Sequence, residues 1–288
     1  MRYPEWLKKS VPKSSNNLHI RKYLDNSIHT VCESALCPNR GECFAQKTVT
    51  FLILGNACTR SCSFCAVTKS APEPVNSDEP EKVADAAQKL GLEHVVITSV
   101  TRDDLPDGGA EQFAKTILAV RQKLPASTIE VLTPDFQGNF DALNIVLAAK
   151  PNVFNHNIET VPRLYPAVRP QADYQQSLRV LKHASQLLTK SGLMLGLGET
   201  ETEIKSVLQD LKNHGVSIIT LGQNLAPSKN HYPIQEFIHP DKFAGYKNYS
   251  ENELGFKAVF AGPFVRSSYL AKDILNDILK TAKEAVYE

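Results

Sequence analysis

The sequence predicts an α/β protein: a partial (β/α)6 TIM-type barrel with an N-terminal cysteine-rich extension and a C-terminal extension. Three observations carry this prediction. Six short runs of β-branched or apolar residues recur along the 288 residues, at 49–54, 94–99, 128–132, 153–158, 193–197 and 216–221. Segments with helical spacing separate them, and alternation on this scale implies right-handed βα units. All six cysteines lie between Cys32 and Cys65, before the first run or directly after it.

Most of the runs are near-continuously apolar, as in strands of a parallel sheet buried on both faces. Helical spacing marks 79–90, 110–124, 140–149, 174–190 and 201–214. In the fourth of these, Leu178, Leu181, Ala184, Leu187 and Leu188 form a core-facing stripe. Six units fall short of the eight that close a barrel, so the barrel is expected to be incomplete. The expected division is an N-terminal extension at 1–47, the barrel at 48–223 and a C-terminal extension at 224–288. Residues 70–80, with three prolines, read as a loop. Ile274, Leu275, Ile278, Leu279 and Ala282 read as the packing face of a final helix.

With 42% hydrophobic residues, the chain is long enough to bury a substantial core as one large unit or two ordinary domains. Lysine and arginine number 32 against 31 acidic residues, so no global field draws the chain to nucleic acid or an anionic membrane. No apolar run approaches the roughly 20 residues of a membrane span, and residues 1–22 lack the apolar stretch of a signal peptide. The expectation is a cytoplasmic protein with no nucleic-acid or membrane partner. A basic, serine-containing start leaves a transit peptide as the alternative. Without an export signal, cysteines crowded into one stretch argue for metal rather than disulfides.

The first run leads into Gly55-Asn56-Ala57-Cys58-Thr59-Arg60-Ser61-Cys62-Ser63-Phe64-Cys65, a C-x3-C-x2-C pattern. Three thiolates in so tight a loop can hold three corners of a cubane 4Fe-4S cluster but not the fourth, which would leave one iron open as catalytic metal sites keep a position free. With an aromatic residue before its last cysteine, the loop matches the signature of radical S-adenosylmethionine enzymes, in which the open iron binds the methionine moiety. A zinc knuckle would need a fourth Cys or His at paired spacing, and none follows Cys65 closely.

Upstream stands Cys32-Glu33-Ser34-Ala35-Leu36-Cys37-Pro38-Asn39-Arg40-Gly41-Glu42-Cys43, a C-x4-C-x5-C pattern with no spare cysteine for a fourth corner. Further motifs are Pro4-Glu5-Trp6-Leu7-Lys8, Arg102-Asp103-Asp104-Leu105-Pro106-Asp107, Phe154-Asn155-His156-Asn157-Ile158-Glu159, Gly196-Leu197-Gly198-Glu199-Thr200 and Gly262-Pro263-Phe264-Val265-Arg266-Ser267-Ser268-Tyr269. Together with both triplets they resemble the lipoyl synthase family over nearly the whole chain.

That resemblance implies a sulfurtransferase that inserts two sulfur atoms, at C6 and C8 of a protein-bound octanoyl group, using two 4Fe-4S clusters and S-adenosylmethionine. It implies that Cys58, Cys62 and Cys65 carry the cluster that cleaves S-adenosylmethionine. Cys32, Cys37 and Cys43 would carry an auxiliary cluster whose sulfides are the sulfur source, with Ser268 as its fourth ligand. An alkoxide oxygen is an unusual, labile ligand on iron, suited to a cluster that must open. The implied partners are octanoylated lipoyl carrier domains (2-oxoacid dehydrogenase E2 or glycine cleavage H protein) and a ferredoxin or flavodoxin reductant. An iron–sulfur carrier protein would rebuild the auxiliary cluster, and the chain would act as a monomer.

The end of the fourth strand is where a barrel presents side chains to its cavity. Asn155, His156, Asn157 and Glu159 stand there, and the resemblance implies that this strand end, through Asn155, Asn157 and Glu159 among them, contacts S-adenosylmethionine; hydrogen bonding of any of the four along the barrel rim is the alternative. The segment at Gly196 fails the dinucleotide pattern because Glu201 stands where a glycine is needed. Gly196, Gly198 and Glu199 are instead expected beside S-adenosylmethionine, with Thr200 capping the next helix. Ser267 and Ser268 have a second reading as caps of a helix starting near Tyr269. Arg102, Asp103, Asp104 and Asp107 read as a solvated turn, or as a rim that orders the site or meets the acyl-carrying partner.

His94, His183 and His214 lack paired metal spacing and read as surface or packed residues. The sequence departs from the family at Asn224-Leu225-Ala226-Pro227-Ser228, where Tyr-Leu-Gln-Pro-Ser is usual, and at Thr101, a position commonly acidic. These departures spare every expected cluster ligand and bear on substrate positioning. The rival functions are a methylthiotransferase acting on tRNA or protein and a non-catalytic iron or zinc sensor.

Overall fold

The computed structural model describes residues 2–9, 20–24, 27–269 and 271. In chain order, β1 (His29–Thr30) leads into the short helices α1 (Val31–Ser34) and α2 (Arg40–Ala45). Then come β2 (Thr50–Ile53), a small pair β3 (Ala57–Cys58) and β4 (Thr68–Lys69), and α3 (Glu79–Leu90). The middle of the chain forms β5 (His94–Ser99), α4 (Ala110–Lys123), β6 (Thr128–Leu132), α5 (Phe140–Ala148), β7 (Val153–Asn155), α6 (Tyr165–Val168) and α7 (Tyr174–His183). β8 (Leu188–Leu195), α8 (Glu201–Asn213), β9 (Ile218–Gln223), α9 (Pro240–Asn248) and β10 (Ala258–Gly262) follow.

One eight-stranded sheet runs in the order β1-β2-β5-β6-β7-β8-β9-β10. Every pairing in it is parallel except that of β1 with β2. The six predicted runs supply its six central strands, and the partial barrel follows from them. β10 adds a further parallel strand beside β9. Its five residues carry a weak apolar signal, and only Val259 among them is buried. At the other edge β1 pairs His29 with Leu52 and Thr30 with Phe51, which fastens the start of α1 to the barrel.

Helices cover the outer face through apolar positions three and four residues apart. Val83 and Ala87, Phe113 and Ile117, and Val146 pack in one core with residues of β2, β5 and β6. Leu178, Leu181, Ile204, Leu208 and Leu211 form a second core with residues of β8 and β9. Thr200 caps α8 as expected, its hydroxyl accepting from the Glu203 N–H while the Glu203 side chain returns to the Thr200 N–H. The predicted face of the final helix, Ile274 to Ala282, lies outside the described residues. Among the described residues no helix is long and apolar enough to cross a membrane.

Boundaries differ most from expectation at two places. The helix expected over 174–190 stops at His183, and Leu188 begins β8. Leucines at helical spacing happen to continue past the end, but Leu188 and Lys190 pair with Val153 and Asn155 of β7. Ladder bonds on both flanks of β8 outweigh the continuing helical pattern. The strand expected over 153–158 ends at Asn155; beyond it the chain runs to Glu159, which has a positive φ of 63° and makes a single parallel bridge to Leu193.

Inside the barrel, Lys190 is 0% exposed and Glu130 1%. Lys190 Nζ donates to both Glu130 carboxylate oxygens at 3.0 and 3.2 Å. Burial pushes the Glu130 carboxyl upward, but Lys190 and His94 more than offset it and hold it below the usual range. Lys190→Met is therefore expected to strand a buried charge and to lower unfolding free energy by about 3–5 kcal/mol, read as a lower urea midpoint at unchanged slope. His94 belongs to this network, with Nε2 3.6 Å from Glu130. His183 lies 2.7 Å from Asn144 Oδ1, and His214 Nδ1 donates to the Asp210 carbonyl. These three histidines are packing and surface groups, as expected.

Candidate active site between two cysteine triplets

At the C-terminal ends of the strands the chain encloses a chamber of about 360 Å³. Its lining includes all six cysteines together with His156, Asn157, Glu159, Ser267 and Ser268. Two segments more than 200 residues apart close it.

The C-x3-C-x2-C loop leaves β2 through positive φ angles at Leu54 and Gly55 and is held on both flanks. On one side Thr59 N–H and Oγ1 donate to the Thr101 carbonyl at 3.1 and 3.0 Å. The Thr101 N–H in turn donates to Cys58 Sγ at 3.3 Å. On the other side Ser63 N–H donates to the Val168 carbonyl, and Ser61 N–H to Gln171 Oε1 at 3.0 Å. Arg60 locks the loop from beneath. Its guanidinium donates to both Asp103 oxygens at 2.6 and 2.9 Å and both Asp135 oxygens at 3.0 and 2.7 Å.

The charged turn after β5 is therefore a supporting rim. Asp103 holds Arg60, Arg102 is buried against Asp104 and the Leu54 carbonyl, and Asp107 accepts from the Gly109 and Glu111 N–H groups at the start of α4.

The upstream triplet sits on α1, a turn and α2. The Cys37 N–H donates to the Cys32 carbonyl at 3.1 Å and the Arg40 N–H to the Cys37 carbonyl at 3.2 Å. This segment is stitched to the C-terminal motif: Asn39 Nδ2 donates to the Phe264 carbonyl at 2.6 Å, and Tyr269 OH to Glu42 at 2.8 Å. Lys9 joins both, donating to Asn39 Oδ1 at 2.8 Å and lying 4.9 Å from the Phe264 ring centre. The motif can lie against β9 because Gly222 has no side chain; a Cβ there would stand 2.1 Å from the Val265 carbonyl oxygen.

Between the triplets Asn157 Nδ2 donates to Glu159 at 3.0 Å and to Ser267 Oγ at 2.6 Å. Burial pushes the Glu159 carboxyl up, while Arg169, Asn157 and Arg266 pull it back. Arg169 Nη1 braces the turn by donating to the Asn157 and Ile158 carbonyls at 3.1 and 3.2 Å. His156 donates from Nδ1 to the Thr133 carbonyl at 2.9 Å, so its Nε2 accepts from Ser177 OH at 3.1 Å. Burial, followed by Arg169, lowers this imidazole to about 4, and it is neutral at physiological pH.

Not every expected site residue reaches the chamber. Asn155 is fully buried and donates to Glu130 at 3.3 Å inside the barrel, because it is still part of β7 and its side chain follows the strand's alternation. Gly196, Gly198 and Glu199 lie outside the lining. The Glu199 carboxylate folds back onto the Gly196 and Leu197 N–H groups at 2.5 and 2.9 Å. Gly196 makes room for protein, since a Cβ there would stand 2.3 Å from both Gln223 Nε2 and the Glu236 carbonyl. Arg266 to Tyr269 form a turn closed by the Tyr269 N–H at 3.0 Å; a helix for Ser267 and Ser268 to cap lies outside the described residues. Sequence reasoning passed over Arg60, Asp135 and Arg169. Arg60 is midway between two cysteines and Asp135 follows β6 at the reactive end of the barrel, and those positions were the available signals.

The chamber suits a polar cofactor and iron. Ser99 Oγ, Thr133 Oγ1, Asn157 Oδ1, Arg169 Nε and Asn224 Nδ2 are buried without a hydrogen-bond partner, and all belong to lining residues. Native proteins pair nearly all such groups, so these walls match a ligand rich in donors and acceptors. The six thiols are free. Among the described residues no three His, Cys, Asp or Glu side chains converge on one ion; the thiols surround a space.

Burial pushes the thiols of Cys32 and Cys65 up to about 11 and that of Cys43 to about 12. Metal loading must therefore expel protons from them. In metal-free chain at pH 8, iodoacetamide is expected to label Cys32 and Cys65 roughly a hundredfold, and Cys43 roughly a thousandfold, more slowly than an ordinary thiol, accelerating about tenfold per pH unit. Peptide mapping of labelled sites checks this.

The family model of the Radical SAM superfamily matches residues 52–211. The lipoyl synthase of Rubrobacter xylanophilus is 54% identical over 284 residues, 97% of this chain and 88% of that protein. That of Caldicellulosiruptor bescii is 52% identical over 290 residues, 97% of this chain and 99% of that protein. The chain belongs to the lipoyl synthase family of the radical SAM superfamily. It is an enzyme of that superfamily and a sulfurtransferase, using S-adenosylmethionine and an iron–sulfur cluster. Solved structures support the fold alone. The FeFe-hydrogenase maturase HydG of Carboxydothermus hydrogenoformans aligns with a TM-score of 0.59 at 13% identity, over 93% of this chain and 68% of that one. Streptococcus suis SuiB bound to S-adenosylmethionine aligns at 0.59 and 10% identity, over 77% of this chain; the match spans about half, 54%, of that chain.

Proposed function

We propose that the protein is a lipoyl synthase: it inserts two sulfur atoms, at C6 and C8 of an octanoyl group carried on a lysine of a lipoyl carrier domain. The observation that carries this reading is the single chamber lined by both cysteine triplets and by Ser268. A radical source and a sulfur source placed apart would need the reacting chain to travel between them; one chamber lets a fixed chain meet both.

In this reading Cys58, Cys62 and Cys65 hold the cluster that, with S-adenosylmethionine, supplies a radical able to remove hydrogen from an unactivated carbon. Cys32, Cys37, Cys43 and Ser268 hold the auxiliary 4Fe-4S cluster, which is consumed as the sulfur-donating substrate. Residues 1–47 and 224–288 act as extensions that lay these ligands over the barrel at 48–223. The remaining side chains position and exclude. Arg60 keeps the cysteine loop in one conformation, and Asn157, Glu159 and Arg169 present polar contacts to S-adenosylmethionine. Leu132, Leu193, Met194, Leu225 and Val265 give the chamber an apolar side that an alkyl chain can occupy. An octanoylated E2 or H-protein domain as substrate, a ferredoxin or flavodoxin reductant and an iron–sulfur carrier for repair complete the proposal.

Mass spectrometry after anaerobic incubation with reductant, S-adenosylmethionine and an octanoyl-lysine peptide is expected to show a mass gain of two sulfur atoms. Cleavage of S-adenosylmethionine with no sulfur on the peptide would defeat the assignment. Metal analysis separates the sensor alternative: about eight irons per chain fits two four-iron clusters, whereas one or two zincs does not.

A further inference from the structure

We infer that Asn224 selects the ligand of the chamber by hydrogen bonding: its Nδ2 donates to an oxygen acceptor, either the amide carbonyl of the acylated lysine or an oxygen of S-adenosylmethionine. This rests on the function proposed above. Asn224 follows β9 directly and is 1% exposed. Its N–H donates to the Leu195 carbonyl at 2.7 Å, and its carbonyl accepts from Gln223 Nε2 at 3.1 Å. Gln223 is itself committed, donating to the Leu195 and Glu236 carbonyls at 3.1 and 3.0 Å and accepting from the Ile238 N–H at 2.8 Å.

With the main chain held from both sides, the Asn224 side chain stays in the chamber wall beside Gly222, Leu225 and Pro227. There Nδ2 is buried with no partner. Buried amide donors normally find an acceptor. His94 Nε2 and Asn155 Oδ1 are also unpaired, but they sit around Glu130 and outside the lining. Asn224 combines an unpaired donor with a place in the wall. A donor beside apolar Leu225 and Pro227 favours a ligand that brings oxygen to that point over a plain alkyl chain, since an analogue without the oxygen leaves the amide unpaired.

The test measures binding, anaerobically and on cluster-loaded protein, by equilibrium dialysis of S-adenosylmethionine and fluorescence anisotropy of an octanoyl-lysine peptide. Asn224→Leu is expected to weaken one of the two ligands about tenfold. Asn224→Asp should weaken it further, because a carboxylate repels the oxygen, and Asn224→Ser should recover part of the loss by keeping a donor. A loss confined to the peptide assigns the substrate carbonyl; one confined to S-adenosylmethionine assigns the cofactor. If wild type binds both ligands and the Leu and Asp variants bind them within about twofold, the inference is wrong while the proposed function stands. If wild type binds neither ligand, the function falls and the inference with it. Equal weakening of both ligands by all three substitutions, with a lowered melting temperature, marks a mere wall residue and overturns the inference.

Discussion

Cys37→Ala is expected to abolish sulfur transfer while leaving formation of 5′-deoxyadenosine within about threefold of wild type, because the two triplets occupy independently braced segments. Cys37 is held in the N-terminal segment by hydrogen bonds to Cys32 and Arg40, whereas the C-x3-C-x2-C loop is fastened by Thr101, Val168, Gln171 and Arg60. None of those fastenings passes through Cys37. Ser268→Ala should act in the same direction and more mildly, since it removes one proposed oxygen ligand and leaves three thiolates. The readout is paired: chromatography of deoxyadenosine and mass spectrometry of the octanoyl peptide from one reaction. Parallel loss of both products in Cys37→Ala would mean that the upstream triplet supports the radical step itself, and the donor role would have to be abandoned.

Arg60→Met is expected to cost about 3–5 kcal/mol of stability, the usual consequence of leaving buried charges without their partner. Arg60 is 7% exposed and Asp135 1%, and one guanidinium serves two carboxylates. Burial pushes the Asp135 carboxyl up, but Arg60 and, behind it, His156 bring it down to about 2. The sign of the pH dependence follows. A carboxyl whose folded value is depressed adds stability above its unfolded value near 4, and that stability is lost as pH falls through about 2. The group therefore contributes roughly 2 kcal/mol at neutral pH. Between pH 4 and pH 2 wild type should lose about that much more stability than Arg60→Met in denaturant titrations, because in the variant Asp135 no longer titrates low. A variant with wild-type stability and an unchanged acid limb would show that Arg60 carries no structural charge pairing.

Fold class was legible because strands buried on both faces and amphipathic helices write their periods into the sequence, and six such strands alternate with five such helices here. The two cysteine triplets were legible because six thiols crowded between Cys32 and Cys65, with no disulfide among them, have few other uses. Boundaries were less legible. Leu187 and Leu188 continue a helical stripe, yet Leu188 belongs to β8, where pairing with β7 and β9 decides. β10 escaped notice because only one of its residues is buried.

What the sequence by itself determined was local: the strand–helix alternation, two cysteine triplets of defined spacing and the Thr200 cap. The tertiary structure alone decided which residues share a space. It brought Ser268 into the chamber of Cys37, turned Asn155 and Glu199 away from it, and set Arg60 on carboxylates 43 and 75 residues distant. The physical reason is that a side chain's direction at a strand end depends on where the chain turns. That turn is set by contacts made across the sheet, and no local pattern encodes them.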